Sequence, residues 1–257
     1  MKSFFLQARG HRLEAVWHGP PPEEAPTWVF LHEGLGSVSL WKDFPAALAQ
    51  ATGWGALVFS RAGYGASEPV SLPRPLDYMQ REAREVLPEV LRAGGVREFF
   101  LFGHSDGASI AAVYAGDAPA SGLRGLVLEA PHVFCEDLSV RSIAAAREAY
   151  EQGGLRERLS RHHRDVDGAF YGWNGAWLDP GFRAWDITAF VPGIRVPTLV
   201  LQGEDDEYGT RAQVDAFRGI QAPLEVAMLE RCGHSPHRDQ REQVLALAVA
   251  FARRVRG

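Results

Sequence analysis

The chain has 257 residues, 46% hydrophobic and 23% charged, with a formal net charge of −5. That is the size and balance of one globular domain with enough core to enclose a site. The acidic surplus, with no basic run interleaved with aromatics, argues against a nucleic-acid binder, and no apolar stretch approaches the about 20 residues of a membrane span.

In chain order, Met1 to Gly10 carries an apolar stretch too short for a signal peptide and broken by Arg9, so a cytoplasmic protein is expected. Phe4 to Ala8 and Leu13 to Trp17 flank Arg9-Gly10-His11 and read as a hairpin. After the turn-rich Gly19 to Pro26 comes a buried strand, Trp28 to Leu31, running into the loop His32-Glu33-Gly34-Leu35-Gly36-Ser37. A helix is expected over Leu40 to Thr52, a strand over Ala56 to Phe59, and a helix over Leu76 to Arg92 kinked or broken near Pro88. The run Phe99-Phe100-Leu101-Phe102 then leads into Gly103-His104-Ser105-Asp106-Gly107 and a small-residue helix. Leu123 to Leu128 is a further strand. Strands alternating with helices imply an α/β class with a mostly parallel sheet covered on both faces.

From Cys135 to Arg195 the alternation lapses into helical pieces, such as Val140 to Tyr150, and many aromatics, including Trp173 and Trp177. Strands return at Thr198 to Leu201 and Leu224 to Leu229, and Gln240 to Arg254 closes as an amphipathic helix. Cys135 and Cys232 have neither metal-ligand spacing nor the density of a disulfide scaffold, and read as two free thiols. His162-His163-Arg164-Asp165-Val166-Asp167 lacks specific ligand spacing and reads as a polar solvated segment.

The G-x-S-x-G around Ser105 sits where a strand turns into a helix, a position that exposes a serine hydroxyl to a pocket. A hydroxyl needs a base to take its proton, and the base needs a third group to fix its tautomer. Both follow at strand ends: the acidic loop Gly203-Glu204-Asp205-Asp206-Glu207, then Gly233-His234-Ser235-Pro236-His237. Serine, acid, histidine is the chain order of a hydrolase on an open α/β sheet.

With these motifs in order, and with Arg61-Ala62-Gly63-Tyr64-Gly65-Ala66-Ser67 as a loop bordering the site, the chain resembles the α/β-hydrolase superfamily over nearly its full length. The resemblance implies an α/β-hydrolase core (residues 1–134 and 196–257) and a helical cap (135–195). It implies Ser105 as nucleophile and His234 as base, favoured over His237, which lines the pocket or packs beneath it. The family's Gly-x-x-Asp spacing selects Asp206 over Asp205, with Glu204 and Glu207 as solvated turn residues. The oxyanion N–H groups fall to Asp106 and, by similarity to the His-Gly-Gly-Pro-Gly-Ser loop of proline iminopeptidase-like members, to Gly34, with Leu35 the alternative because Glu33 and Leu35 depart from that pattern. Glu33, Leu35, His104, Trp173 and Trp177 are the substrate-binding candidates, most of the insertion's aromatics being expected to form its own core. The Ser-Asp pair of the elbow is similar to valacyclovir hydrolase-like (biphenyl hydrolase-like) members, which implies that Asp106 meets a substrate ammonium. A serine at the elbow disfavours the haloalkane dehalogenase and epoxide hydrolase branches, which place an aspartate there.

The expected function is a carboxylesterase-like serine hydrolase of small-molecule esters, without metal or cofactor, and a monomer or homodimer. Amino-acid esters, N-terminal aminoacyl substrates and carbon–carbon bonds beside a ketone fit the same constellation. A hydrolase-fold protein that binds a small ligand without turnover is the reading from another class, and an intact serine, acid and histidine set argues against it.

Overall fold

A strand apolar on both faces must be covered above and below, and Phe99 to Phe102 is such a run. The computed structural model, which describes residues 3–117 and 119–256, places it inside an eight-stranded sheet. Met1 and Lys2, part of the stretch read for a signal peptide, lie outside the described residues.

The strands are β1 (Phe4–Ala8), β2 (His11–His18), β3 (Thr27–Leu31), β4 (Gly55–Phe59), β5 (Phe99–His104), β6 (Leu123–Glu129), β7 (Thr198–Gly203) and β8 (Leu224–Leu229), in the spatial order β1-β2-β4-β3-β5-β6-β7-β8. The β1–β2 hairpin is antiparallel, with Leu6 opposite Leu13, and β2 joins β4 antiparallel. Every pairing from β4 to β8 is parallel.

Side chains alternate between the faces. Trp28, Phe30, Phe100 and Phe102 pack with Phe44 and Leu48 of helix Phe44–Thr52 and with Val244 and Phe251 of helix Arg241–Arg256. Val29, Leu31 and Leu101 pack with Ile110 and Val113 of helix Asp106–Asp117 and with Val90 of helix Leu87–Ala93. Phe30 stacks on Phe102 at 5.2 Å, and truncating such a ring to alanine costs about 3–5 kcal/mol.

Two helices differ from expectation. The one over Leu40 to Thr52 is split into a 3₁₀ turn, Val38–Trp41, and Phe44–Thr52, because Lys42 takes φ +55° and Pro45 fixes a new first turn. Around Pro88 the chain stays helical by widening into a π turn over Glu82–Val86, which absorbs the missing proline N–H and its ring.

Between β6 and β7 the chain forms helices Asp137–Glu151, Leu155–Ser160 and Val166–Leu178 and two 3₁₀ turns. Tyr150 stacks on Phe170 at 3.7 Å and Phe182 on Trp185 at 5.2 Å, so much of the aromatic content is this segment's own core. No helix among the described residues is long and apolar enough to cross a membrane.

From β3 the chain steps outward to β4 and then returns to β5 on the other side of β3. Such a reversal opens a crevice at the carboxyl ends of the strands, here between the loops after β3 and β5.

Candidate active site

Ser105 occupies that crevice at φ +52°, a left-handed conformation uncommon for a residue with a side chain. The flanking glycines make the turn possible. A Cβ at Gly103 would lie 2.4 Å from the Gly107 carbonyl oxygen, and one at Gly107 would lie 1.9 Å from that of Leu31. The G-x-S-x-G pattern is thus a packing requirement of a strand, a turn and a helix pressed together.

The loops after β7 and β8 bring the other two groups to Ser105. His234 Nε2 lies 2.9 Å from Ser105 Oγ, and Nδ1 lies 2.8 and 3.0 Å from the two carboxylate oxygens of Asp206. Asp206 is fixed in turn by the N–H groups of Tyr208 (2.8 Å) and Gly209 (3.2 Å) and by Gln202 Nε2 (2.7 Å). Burial opposes its charge, but His234 and the Tyr208 N–H outweigh burial and hold the carboxyl below its ordinary range. A carboxylate on Nδ1 keeps the proton there, leaving Nε2 to accept from the serine. Asp205 is exposed and takes no part. Glu207, expected as a solvated turn residue, accepts the His234 N–H at 3.2 Å from an exposed position.

The loop after β3 is held from behind. His32 donates from Nδ1 to the Glu33 carbonyl (2.7 Å) and accepts the Arg61 N–H at Nε2 (3.0 Å), while the Arg61 guanidinium donates to the carbonyls of His32 and Glu33. Burial, with the Arg61 charge, pushes His32 well below its ordinary value, so it serves as a neutral brace. Gly34 thereby faces the cavity beside Ser105. The Asp106 N–H, first in its helix, has no intrahelical acceptor.

In the segment expected to be solvated, Arg164, Asp165 and Asp167 are exposed, but the histidines are engaged. His163 is buried; it accepts the Gly65 N–H at Nδ1 (3.0 Å) and donates from Nε2 to the Leu35 carbonyl (2.9 Å), while His162 meets Ser39 Oγ at 2.8 Å. A neutral imidazole offers one donor and one acceptor, which suits a bridge between two main chains.

The Asp106 carboxylate does not await an ammonium. It is fully buried and accepts from Tyr78 Oη (2.5 Å) and Trp177 Nε1 (3.3 Å), with the Arg61 guanidinium 3.7 Å away. Burial raises the Asp106 carboxyl above its ordinary value against the pull of Arg61, Tyr78 and Trp177. No face of the carboxylate reaches the cavity wall.

His104 also lies outside the wall. Its Nε2 donates to the main-chain carbonyl of His234 at 2.6 Å, and Nδ1 lies 3.5 Å from Glu33 Oε2, too long for a hydrogen bond but close enough for charge pairing. Burial works against a charge on His104, yet the Glu33 and Glu129 carboxylates outweigh it and push the ring up to about 9. Burial likewise opposes the charge on Glu33, whose carboxyl is nonetheless held far below its ordinary value by His104. His237 packs beneath, its N–H and Nδ1 both donating to Glu129 (2.5 and 2.7 Å). His104, Glu129 and His237 bring three ligand-type atoms within 4.8 Å of one another. With both Glu129 oxygens and His104 Nε2 committed to protein hydrogen bonds, the cluster is a brace behind His234.

The cavity over Ser105 has a volume of about 110 Å³. Of the expected residues, Glu33, Gly34, Leu35, Trp173 and Trp177 line it with Ser105 and His234. Trp173 presses its indole on Gly34, where a Cβ would lie 2.1 Å from Nε1. His132, Ile143 and Tyr208 complete the wall and were not among the expected residues. His132 and Tyr208 each stand just past the carboxyl end of a parallel strand, the one signal that marked them; Ile143 is one apolar residue of a helix among many.

A model of the "Alpha/beta hydrolase family" matches residues 28–247. A 2-succinyl-6-hydroxy-2,4-cyclohexadiene-1-carboxylate synthase of Yersinia pseudotuberculosis is 32% identical over 261 residues, covering 90% of this chain and 89% of its own. Epoxide hydrolase B of Mycobacterium tuberculosis is 32% identical over 110 residues, and this chain spans 30% of that relative's length. Among solved structures, the proline iminopeptidase of Mycobacterium smegmatis superposes with a TM-score of 0.74 at 20% identity, over 99% of this chain and 98% of that one. The naproxen esterase of Bacillus subtilis does so at 0.72 and 19% identity, over 97% and 90%. At such identities the superpositions speak for the fold. The family match over most of the length shows that the chain belongs to the alpha/beta hydrolase family.

Proposed function

We propose that the protein is a serine hydrolase that cleaves small carboxylic esters through an acyl-enzyme on Ser105. The observation that carries this reading is the unbroken line from Ser105 Oγ through His234 to Asp206, at 2.9 and 2.8 Å, on the wall of a small, mainly apolar cavity. His234 takes the hydroxyl proton as Oγ attacks the ester carbonyl, and Asp206 stabilises the imidazolium. The N–H groups of Gly34 and Asp106 receive the developing oxyanion. His234 then returns the proton to the leaving alcohol, and a water repeats the sequence to release the acid. Residues 135–195 act as the cap, with Ile143, Trp173 and Trp177 excluding bulk water.

The lining favours neutral substrates. Among the described residues it includes no lysine or arginine, so the carboxylate named in the synthase relatives' product finds no cationic partner there. The epoxide hydrolase relative is countered by the serine at the elbow. Glu33 is the acidic group on the wall and keeps an aminoacyl substrate as the second reading, although His104 already pairs with it. A panel of neutral esters, glycine esters and N-terminal proline amides tests the choice. Turnover of the neutral esters, lost in Ser105→Ala, supports the proposal; turnover confined to the cationic substrates overturns it.

A further inference from the structure

His132 is a polar group on the cavity wall that the proposed chemistry leaves unused. Ala130, just after β6, takes φ +47° and donates its N–H to the Leu201 carbonyl at 2.8 Å. Such a conformation in a residue with a Cβ costs on the order of 1 kcal/mol, and here it turns the chain toward the site. The peptide unit that follows the ring is then pinned through both of its polar groups. Ser109 Oγ donates to the His132 carbonyl at 2.6 Å, and the Val133 N–H donates to Gln213 Oε1 at 2.8 Å.

The ring itself is 2% exposed, with Trp177 at 5.1 Å and His234 at 5.5 Å between ring centroids. Nδ1 is enclosed without a hydrogen-bond partner, and Nε2, also without a partner among the described residues, is the nitrogen left to face the cavity. Burial, and then the nearby His234, push the ring down to about 3, which leaves it neutral at ordinary pH. A rigidly held ring nitrogen on a cavity wall, with no protein partner, gains about 0.5–1.5 kcal/mol when a ligand supplies one.

Position selects the part of the ligand. Of the oxyanion donors, Asp106 follows β5 itself and Gly34 comes from the loop after β3, on one side of β5, whereas His132 comes from the loop after β6, on the other. A carbonyl oxygen directed at Gly34 therefore leaves the carbon substituents of the ester on the His132 side. We propose that His132 is a specificity-determining residue that selects small esters carrying a hydroxyl or oxo group next to the reacting carbonyl. A neutral imidazole can donate to an oxo group or accept from a hydroxyl, and it needs no charge on the substrate. The about 110 Å³ of space, walled by Leu35, Ile143 and Trp177, suits a short acyl chain. This deepens the ester-hydrolase reading and rests on it.

Methyl lactate and methyl isobutyrate test the assignment, because they differ by a hydroxyl in place of a methyl group of similar size. The quantity to measure is the ratio of their kcat/KM values by acid release, in wild type, His132→Phe and His132→Asn. The ratio should fall about tenfold in His132→Phe, the loss of one neutral hydrogen bond, and stay closer to wild type in His132→Asn, which keeps a donor and an acceptor. Equal losses on both esters, or an unmoved ratio, would mean that His132 only packs against His234 and Trp177, and the inference falls while the ester reading stands. No Ser105-dependent turnover of either ester overturns both.

Discussion

At the scale of single residues, the groups of the proposed reaction have no freedom to be elsewhere. Ser105 is held in a left-handed turn, Asp206 accepts from three groups besides His234, and the His234 main chain is gripped by His104 and Glu207. His104 acts through His234, as a positioning residue. In His104→Leu, kcat should drop about tenfold with KM little changed, since a misplaced base loses transition-state stabilisation more than ground-state binding. His104→Gln, which keeps a donor for the His234 carbonyl, should recover part of that loss in steady-state kinetics; a change in KM alone would count against positioning. Ser105, Asp206 and His234 were legible because each follows a strand in a short motif. The fate of the Asp106 carboxylate was not, because Tyr78 and Trp177 stand 28 and 71 residues away and only the packed core brings them together.

At the scale of elements, the strands were legible and the breaks in helices were less so. Val29 and Phe30 each have a face to fill, and that double apolar demand is written into the sequence. Pro88 forbids one hydrogen bond but does not say whether the chain will stop, kink or widen, and here neighbours on both sides keep it helical. The aromatic stretch between β6 and β7 announced a core without saying which rings turn toward the site. Its tie to the loop after β3 is His163, and neither neighbour in sequence reveals that Gly65 and Leu35 are its partners. His163→Ala should destabilise the fold by about 1–3 kcal/mol, because it leaves the buried Gly65 N–H and the half-buried Leu35 carbonyl unpaired. The same variant should lower kcat/KM for neutral esters, as the Gly34 N–H loses its anchor. Denaturant titration and ester kinetics on one preparation check both; a loss of stability with unaltered kinetics would separate the strap from the oxyanion site.

At the scale of the whole molecule, buried histidines with opposite shifts shape the dependence of stability on pH. His104, pushed up to about 9, holds a proton in the folded state that the unfolded chain releases above its ordinary 6.5. Its contribution is fully present below pH 6.5 and is lost as the pH rises through about 9. His132, pushed down to about 3, and His32, pushed well below its ordinary value, stay neutral while the unfolded chain binds protons, so stability falls as the pH drops from 6.5 toward 3. Glu33, shifted below its ordinary 4.5, adds to the loss on the acid side. Stability should therefore peak near pH 6.5, each unmatched proton contributing a slope of at most about 1.4 kcal/mol per pH unit. Thermal melts across pH should show His104→Gln flattening the alkaline limb and His132→Phe the acid limb, and a profile indifferent to both variants would show that neither ring titrates as described.

Intact-protein mass spectrometry looks directly for the proposed covalent acyl-enzyme on Ser105. Quenched with acid during turnover of p-nitrophenyl acetate, the wild-type chain should carry one acetyl group, mapped by peptide analysis to Ser105. Asp206→Asn should accumulate that species more slowly, and folded Ser105→Ala should carry none. Ester turnover with no adduct at Ser105, or the same adduct in Ser105→Ala, would contradict the account.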